Sequence, residues 1–447
     1  MWVFVYPQTY YTMDYTKCQY VISDNTKYII DDVSGELREV LVDCSSNGHV
    51  NPFSRNKQQN LYLSSVYQNI ASVAADNNNK FLDCDCSSIN FSKTFNKLTF
   101  CTNYLEFVHL KDKTKHISYL ESCHKSLCPC CNFFRARSDL RSLFDIFTEF
   151  FNNPIYKGCQ FLFLTLTIPS VYSSDLNSAL DLLSDSYHRF IKSKEFRSAF
   201  LGSSRSLELT YNNDVDSKSY NMVHPHLHIL LVARPDYFKS SAYLDYKYIL
   251  YLWQRALHQH KFRSFDKWLT WYTSFWENPF TDQARKLPGS PELTTQINIK
   301  KIKFRSVRGL PAEKIAGAMF NILAEVLKYP FKSDELLTGN IDIDSERVFF
   351  LDSALYHRRR WQVSGCLKDI AKKLHIPDDE DSDLVSVAGL DLDQIEYFSG
   401  WWFSGKFGEY IRGHRKNLTE KNAVRRLLGL PLLSDIDKDK LSKNQEG

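Results

Sequence analysis

The sequence predicts an α+β fold: a largely antiparallel sheet flanked by helices, joined to a small cysteine-rich zinc-binding module. Three observations predict it. Period-two apolar runs alternate with runs of helical period in the order strand, helix, strand, strand, helix, strand, helix. Five of the eleven cysteines fall between 101 and 131, in CTNYLEFVHL and ESCHKSLCPCCNFFRARS. Aromatics reach 14%, with 31 Phe and 25 Tyr against 16 Gly and 14 Pro, which supplies apolar bulk for a core and little sign of disorder.

Taken in order, residues 1–100 mix short Tyr- and Val-rich runs with Asn/Asp/Ser punctuation such as AADNNNK, and form an N-terminal region of unknown role. Residues 101–136 hold the cysteine module. A third region, 137–376, opens on a helix, since Leu140, Leu143, Phe144, Phe147, Phe150 and Phe151 recur at helical spacing. FLFLTLT (161–167) then places Leu162, Leu164 and Leu166 on one face of a strand and Phe161, Phe163, Thr165 and Thr167 on the other, with Pro169 ending it. Leu176, Leu180, Leu183, Tyr187 and Ile191 mark an amphipathic helix. SLELTY (206–211) and residues 223–232 are the next strands, followed by a helix around Ile249, Trp253 and Leu257 and a strand in TQINIKKIKF. A last helix runs from Pro311, suited to a first helical turn, to about Lys328. The acidic block PDDEDSD opens a linker and tail, 377–447, that carries Trp401, Trp402 and RGHRK.

A 447-residue chain is long enough for two to three domains or one large domain with appended modules. Its net charge of +4 is uneven: the first hundred residues are acidic by two, and the rest carry +6. No apolar run approaches the ~18 residues of a membrane span, and MWVFVYPQTYY lacks a basic flank before an apolar segment. The expectation is a cytoplasmic protein without a membrane partner, its clustered cysteines binding metal in a reducing compartment.

Chemistry concentrates in NMVHPHLHILLVARP (221–235). Side chains alternate along a strand, so His224, His226 and His228 project to one side while Leu227, Ile229 and Leu231 enter the core opposite. Imidazoles bind divalent metals, and a metal acting on phosphate needs an oxygen ligand as well. Glu208 is the best candidate, on the face of SLELTY opposite Leu207, Leu209 and Tyr211; an ordinary solvent-facing Glu is the plainer alternative. A nucleophile is offered by NILAEVLKYPFK, where Glu325 and Tyr329 stand four apart on one helical face and Lys332 follows. Pro330 places Tyr329 at the helix end or at a kink. Cys123, Cys128 and Cys131 read C-x4-C-x2-C, with Cys101 as a candidate fourth thiolate for tetrahedral zinc and Cys130, Cys84, Cys86 and His124 as competitors. Arg135, Arg137 and Arg141 follow, as a solvated helix face or as phosphate contacts.

The ordered set FLTLT, LELTYN, HPHLHILL and E-x-x-x-Y-x-x-K, preceded by C-x4-CP-x-C and followed by RRRWQVSGCLKDIAKKL, resembles the replication-initiator proteins of small bacterial rolling-circle plasmids, within the HUH endonuclease superfamily. The likeness spans roughly 100–375. It implies an HUH-type nicking and joining domain in which His226 and His228 hold Mg²⁺ or Mn²⁺, with Glu208 as third ligand and His224 as an extra first histidine. Tyr329 would attack a phosphodiester at the plasmid origin, in a single-stranded site presented by a hairpin, leaving a 5′-phosphotyrosine and a 3′-OH primer. Glu325 would activate water for the terminating cleavage, and Lys332 would pair with a phosphate. Cys101, Cys123, Cys128 and Cys131 would hold structural Zn²⁺, with Arg135 and Arg137 on DNA. Host helicase and DNA polymerase are the implied partners. An HUH transposase or relaxase shares this chemistry, and H-x-H-x-H also resembles the histidine-triad nucleotide hydrolases.

Overall fold

The computed structural model describes residues 20–23, 26–30, 37–42, 52–75, 90–258, 264–270, 297–302, 323, 327, 333–376, 384–385 and 392–413. In chain order its strands are β1 (Tyr20–Ser23), β2 (Thr26–Ile30), β3 (Leu37–Val40), β4 (Tyr104–Leu110), β5 (Lys115–Leu120), β6 (Gln160–Thr167), β7 (Phe200–Tyr211), β8 (Val223–Ala233), β9 (Ile297–Ile302), β10 (Trp361–Gly365), β11 (Ile395–Ser404) and β12 (Glu409–Arg412). The main helices are α1 (Phe53–Ala75), α2 (Phe91–Phe100), α3 (Pro129–Asn152), α4 (Leu176–Lys192), α5 (Lys194–Ala199), α6 (Tyr246–His258), α7 (Ile341–Leu355) and α8 (Cys366–Lys373). They form two compact units, residues 1–134 with 381–447, and residues 135–380.

The first unit is built on a sheet of order β1-β2-β3-β12-β11-β4-β5, with antiparallel neighbours throughout. The N-terminal hundred residues and the tail, which the sequence left without a role, therefore share one sheet with the strand that follows Cys101. β4 and β5 join through a tight turn in which the Asp112 carboxylate accepts from the Thr114 amide and hydroxyl. Helix α2 ends against α1, whose Lys57 ammonium donates to the Thr99 and Cys101 carbonyls at 2.9 and 2.6 Å and whose Asn60 amide donates to Leu98 O at 2.6 Å. These bonds satisfy carbonyls that a helix C-terminus leaves without partners, and they fix the backbone at Cys101.

The second unit is built on an antiparallel sheet of order β10-β7-β8-β6-β9, which places the histidine strand at the centre. Pairing with β6 ends at Thr167/His226, so Pro225 occupies a position of β8 beyond that ladder, where the missing N–H costs little. On one face, Tyr187 of α4 hydrogen-bonds Ser203 of β7, and the Trp253 indole of α6 donates to Thr167 O at 3.0 Å. The other face carries Phe161, Leu230 and Val232, buried with Leu143, Ile146, Phe147 and Phe150 of α3, Leu367 and Ile370 of α8, and Leu323 and Leu327. Both faces are covered along this half of β8, which explains the continuous apolar run ILLVA after the histidines.

The expected 161–167, 206–211 and 223–232 strands match β6, β7 and β8, although β7 starts six residues earlier. The 311–328 helix lies outside the described residues except for Leu323 and Leu327, which are joined by an amide-to-carbonyl bond of 3.0 Å four residues apart. The PDDEDSD block is likewise outside the described residues.

Strand β10 was not anticipated in RRRWQVSG; it reaches β7 through a glycine pair, Gly202 opposite Gly365. Gly365 has φ +59°, and a Cβ there would stand 2.2 Å from Leu201 O. Gly365→Ala is expected to lower the unfolding free energy by about 2–4 kcal/mol, read from urea denaturation with an unchanged m-value; a loss below about 0.5 kcal/mol would show that the pairing relaxes freely.

Candidate functional site

Antiparallel register decides which side chains meet. Glu208 of β7 stands directly opposite His226 of β8, and Ser206 opposite His228. From the other side, β6 sets Thr167 opposite His226 and Thr165 opposite His228. Directly paired residues share a face, so the carboxylate and imidazoles lie together. Glu208 Oε2 is 3.1 Å from His226 Nε2 and 2.5 Å from His228 Nε2. The cluster is largely withdrawn from solvent, Glu208 being 7% and His228 9% exposed.

The far nitrogens are also held. His226 Nδ1 lies 3.2 Å from the His224 carbonyl, and His228 Nδ1 lies 3.5 Å from Thr165 Oγ1. A carbonyl only accepts, so His226 donates to it from Nδ1; Nε2 donates to the Glu208 carboxylate while it carries a proton and offers its lone pair to a metal once that proton is gone. Burial raises the Glu208 pKa, but hydrogen bonds from His226 and His228, with their charge when protonated, outweigh it and hold the carboxyl well below the usual carboxylate range. An anionic oxygen thus faces two Nε2 atoms, all within 4.8 Å of one another.

That donor set fits a divalent cation. Ligand atoms about 2.1 Å from an octahedral ion lie ~3 Å apart at right angles, close to the 3.1 Å separation of Glu208 and His226, while the 2.5 Å between Glu208 and His228 has to widen by about 0.5 Å to admit the ion. His224 stands outside this group. Its ring centroid is 5.5 Å from that of His226, and its Nδ1 faces Ser170 Oγ at 3.3 Å. Burial, then the neighbouring His226, lowers its pKa, which favours the neutral ring.

A second cluster joins Cys101, Cys123, Cys128 and Cys131, all buried, their sulfurs within 4.8 Å of one another. Cys101 Sγ lies 3.5 Å from both Cys128 Sγ and Cys131 Sγ, and Cys123 Sγ lies 3.6 Å from Cys131 Sγ. These are no disulfides: a tetrahedron with Zn–S of about 2.3 Å has edges of ~3.8 Å, and the sulfurs approximate it. The Cys131 amide donates to Cys128 Sγ at 3.4 Å. Cys130 falls outside the four, as does His124, which pairs with Ser122; Cys84 and Cys86 lie outside the described residues.

Lys57 was not foreseen. Fully buried, it has its pKa lowered by desolvation, with Cys130, Cys101, Cys128 and Cys123 pulling the other way, so it can offset negative charge on the sulfurs. No motif marks it, since Lys57 lies 44 residues upstream of Cys101. The sequence assigns Thr165 only to the face of FLFLTLT that holds Phe161, Phe163 and Thr167; pairing with β8 is what turns that face to the histidines. Arg135 is 5% exposed and Arg137 is exposed. Only Arg137 of this pair is positioned to meet a large ligand. Glu325, Tyr329 and Lys332 lie outside the described residues.

Comparison with known proteins bears on this site. Residues 114–262, which span the cysteine knuckle, Glu208 and the histidine strand, match the family described as replication protein. Through this region the chain is similar to the replication proteins. It is 28% identical to "Protein rep" of Bacillus sp over 66% of this chain and 86% of that one. With "Protein rep" of Lentilactobacillus hilgardii it shares 26% identity over 78% and 90%, and with one from Staphylococcus aureus 34% over 32% and 59%. No solved structure matches it significantly. Among the described residues, no helix is long and apolar enough to cross a membrane.

Metal titration by calorimetry separates the three histidines. His228→Ala is expected to weaken Mn²⁺ binding by at least about 100-fold, and His224→Ala by less than about fivefold; equal losses would contradict the arrangement. Cys131→Ser is expected to lose about one equivalent of zinc, measured by elemental mass spectrometry, and to lower the unfolding midpoint by more than about 5 °C.

Proposed function

We propose that the chain starts rolling-circle replication of a plasmid by a metal-dependent nick in one origin strand, in the manner of the HUH endonucleases. The observation that carries this reading is the Glu208, His226 and His228 cluster inside the region matching the replication proteins. Such a donor set binds Mg²⁺ or Mn²⁺, and an ion there stabilises charge on a scissile phosphate.

The protein's own groups do the rest. Glu208 orients both imidazoles through Nε2, while the His224 carbonyl and Thr165 hold their far sides. Leu327 is buried in the same core cluster as Leu230 and Val232, on the histidine side of the sheet. Tyr329 follows two residues later in the sequence, within ~7 Å of chain reach of Leu327. Its hydroxyl oxygen forms a bond to phosphorus, the bond from phosphorus to the 3′ oxygen breaks, and the proton passes to that oxygen. The products are a 5′-phosphotyrosine and a 3′-OH primer, so the phosphodiester energy is conserved for joining. Glu325 serves as base for a water that ends the cycle, and Lys332 holds a phosphate. Arg137 contacts DNA beside a zinc-held knuckle, while the buried Arg135 stays a structural neighbour. Strand opening and extension require a host helicase and DNA polymerase, which places the protein in the cytoplasm.

Incubation of the full chain with single-stranded origin DNA and Mn²⁺, followed by proteolysis and mass spectrometry, tests this. A nucleotide-bearing peptide containing Tyr329 is expected, and Tyr329→Phe should slow nicking by at least about 1,000-fold. Wild-type nicking by that variant, or an adduct on another residue, would overturn the assignment.

A further inference from the structure

The sheet of the first unit carries a surface that the nicking chemistry does not use. Tyr397 of β11 stands opposite His109 of β4, which stands opposite Lys115 of β5; beside them Ser399 faces Phe107, and Trp401 faces Arg412 of β12. Cross-strand partners share a face, so this row of aromatic and basic side chains points one way. They line a cavity of about 160 Å³ whose other walls include Glu39, Val40 and Lys27.

Two properties distinguish this surface from a chance patch. The first is a rigid aromatic platform: the Tyr397 and His109 rings stack at 4.1 Å and 9°, and Tyr397 remains 45% exposed. Ser399 Oγ fixes its underside, meeting His109 Nε2 at 2.8 Å and accepting from the Trp401 indole at 3.1 Å. The second is charge. Lys27, Lys115 and Arg412 line the cavity; Arg412 meets Glu39 through Nη1 at 2.7 Å, Lys27 meets Glu409 at 3.4 Å, and the Lys115 ammonium stands over the Phe107 ring at 5.4 Å, which leaves a net positive charge at the Lys115 end. Flat rings offer a face to any base, and the surrounding cations suit the backbone on either side of it.

We infer that this face binds single-stranded DNA, with one unpaired base stacked on Tyr397 and the flanking phosphates at Lys115 and Arg412. The choice of DNA rests on the proposed nicking function; the stacking geometry does not. The site gives the protein a second hold on the displaced strand, separate from the Glu208, His226 and His228 centre.

Fluorescence anisotropy with a labelled oligo(dT) of about 15 nucleotides, on the full zinc-loaded chain without added Mg²⁺ or Mn²⁺, tests it. Tyr397→Ala should weaken binding about tenfold, Tyr397→Phe should stay within about twofold, and Lys115→Gln should reduce the slope of log affinity against log salt by about 0.7. Ultraviolet crosslinking should yield an oligo(dT)-bearing peptide that contains Tyr397. Unchanged affinity in both Tyr397→Ala and Lys115→Gln, each with a wild-type thermal midpoint, would overturn the inference. Nicking of origin DNA at saturating concentration is read in parallel: it persists in Tyr397→Ala if the initiator reading holds, so either idea can fail while the other stands.

Discussion

The pairing of Glu208 with His226 is the constraint on which the rest depends. Because side chains alternate along a strand, a slip of one residue between β7 and β8 would turn the carboxylate into the opposite core and bring Leu207 or Leu209 against the imidazoles. The apolar half of the same strands prevents this. Leu227, Ile229 and Leu231 are buried on the far face, and Leu230 and Val232 are buried on the near face. Register is thus held by packing at one end of β8, and the chemistry occupies the other. The carboxylate then remains anionic despite its burial, since two imidazoles hydrogen-bond to it. A metal that enters exchanges those bonds for its own.

A second constraint acts around the cysteines. Four thiols cannot be crowded into a buried cluster at little cost unless their protons are displaced by a cation, because S–H groups bond weakly to one another. The hydrogen bond with Cys123 in the case of Cys101, and burial in the case of Cys128, raise the thiol pKa well above the usual range. Lys57 places a buried ammonium beside them and anchors the Cys101 carbonyl. Helix α3 begins at Pro129, between two of the four cysteines, so the cluster also fixes where that helix starts.

What could be read from the sequence follows from the range of the interactions. Faces of FLFLTLT and VHPHLHILLVA were legible because alternation is local, and the likeness to replication initiators was legible because its motifs occur in order. Cys101 could be proposed as the fourth thiolate, although nothing in its spacing excluded Cys130; folding brings the Cys101, Cys123, Cys128 and Cys131 sulfurs within 4.8 Å of one another and leaves Cys130 outside that set, though it still neighbours Cys101 and Cys128. The first unit was opaque for a physical reason. β4 pairs with β11 across nearly three hundred residues, and β3 pairs with β12 across still more. Neither strand carries a pattern that names its partner. The stacked His109 and Tyr397 exist only in that pairing, and so does the role of Lys57, whose neighbours come from α2 and the knuckle.

The central claim is that two of the three histidines, with Glu208, hold the ion. Electron spin-echo spectroscopy of the Mn²⁺-loaded, wild-type protein labelled with ¹⁵N-histidine counts the imidazoles on the metal directly. Coupling to two imidazole nitrogens, with one coupling lost in His226→Ala and one in His228→Ala, is the result this account predicts. Coupling to three nitrogens, to none, or a count unchanged in either variant would contradict it.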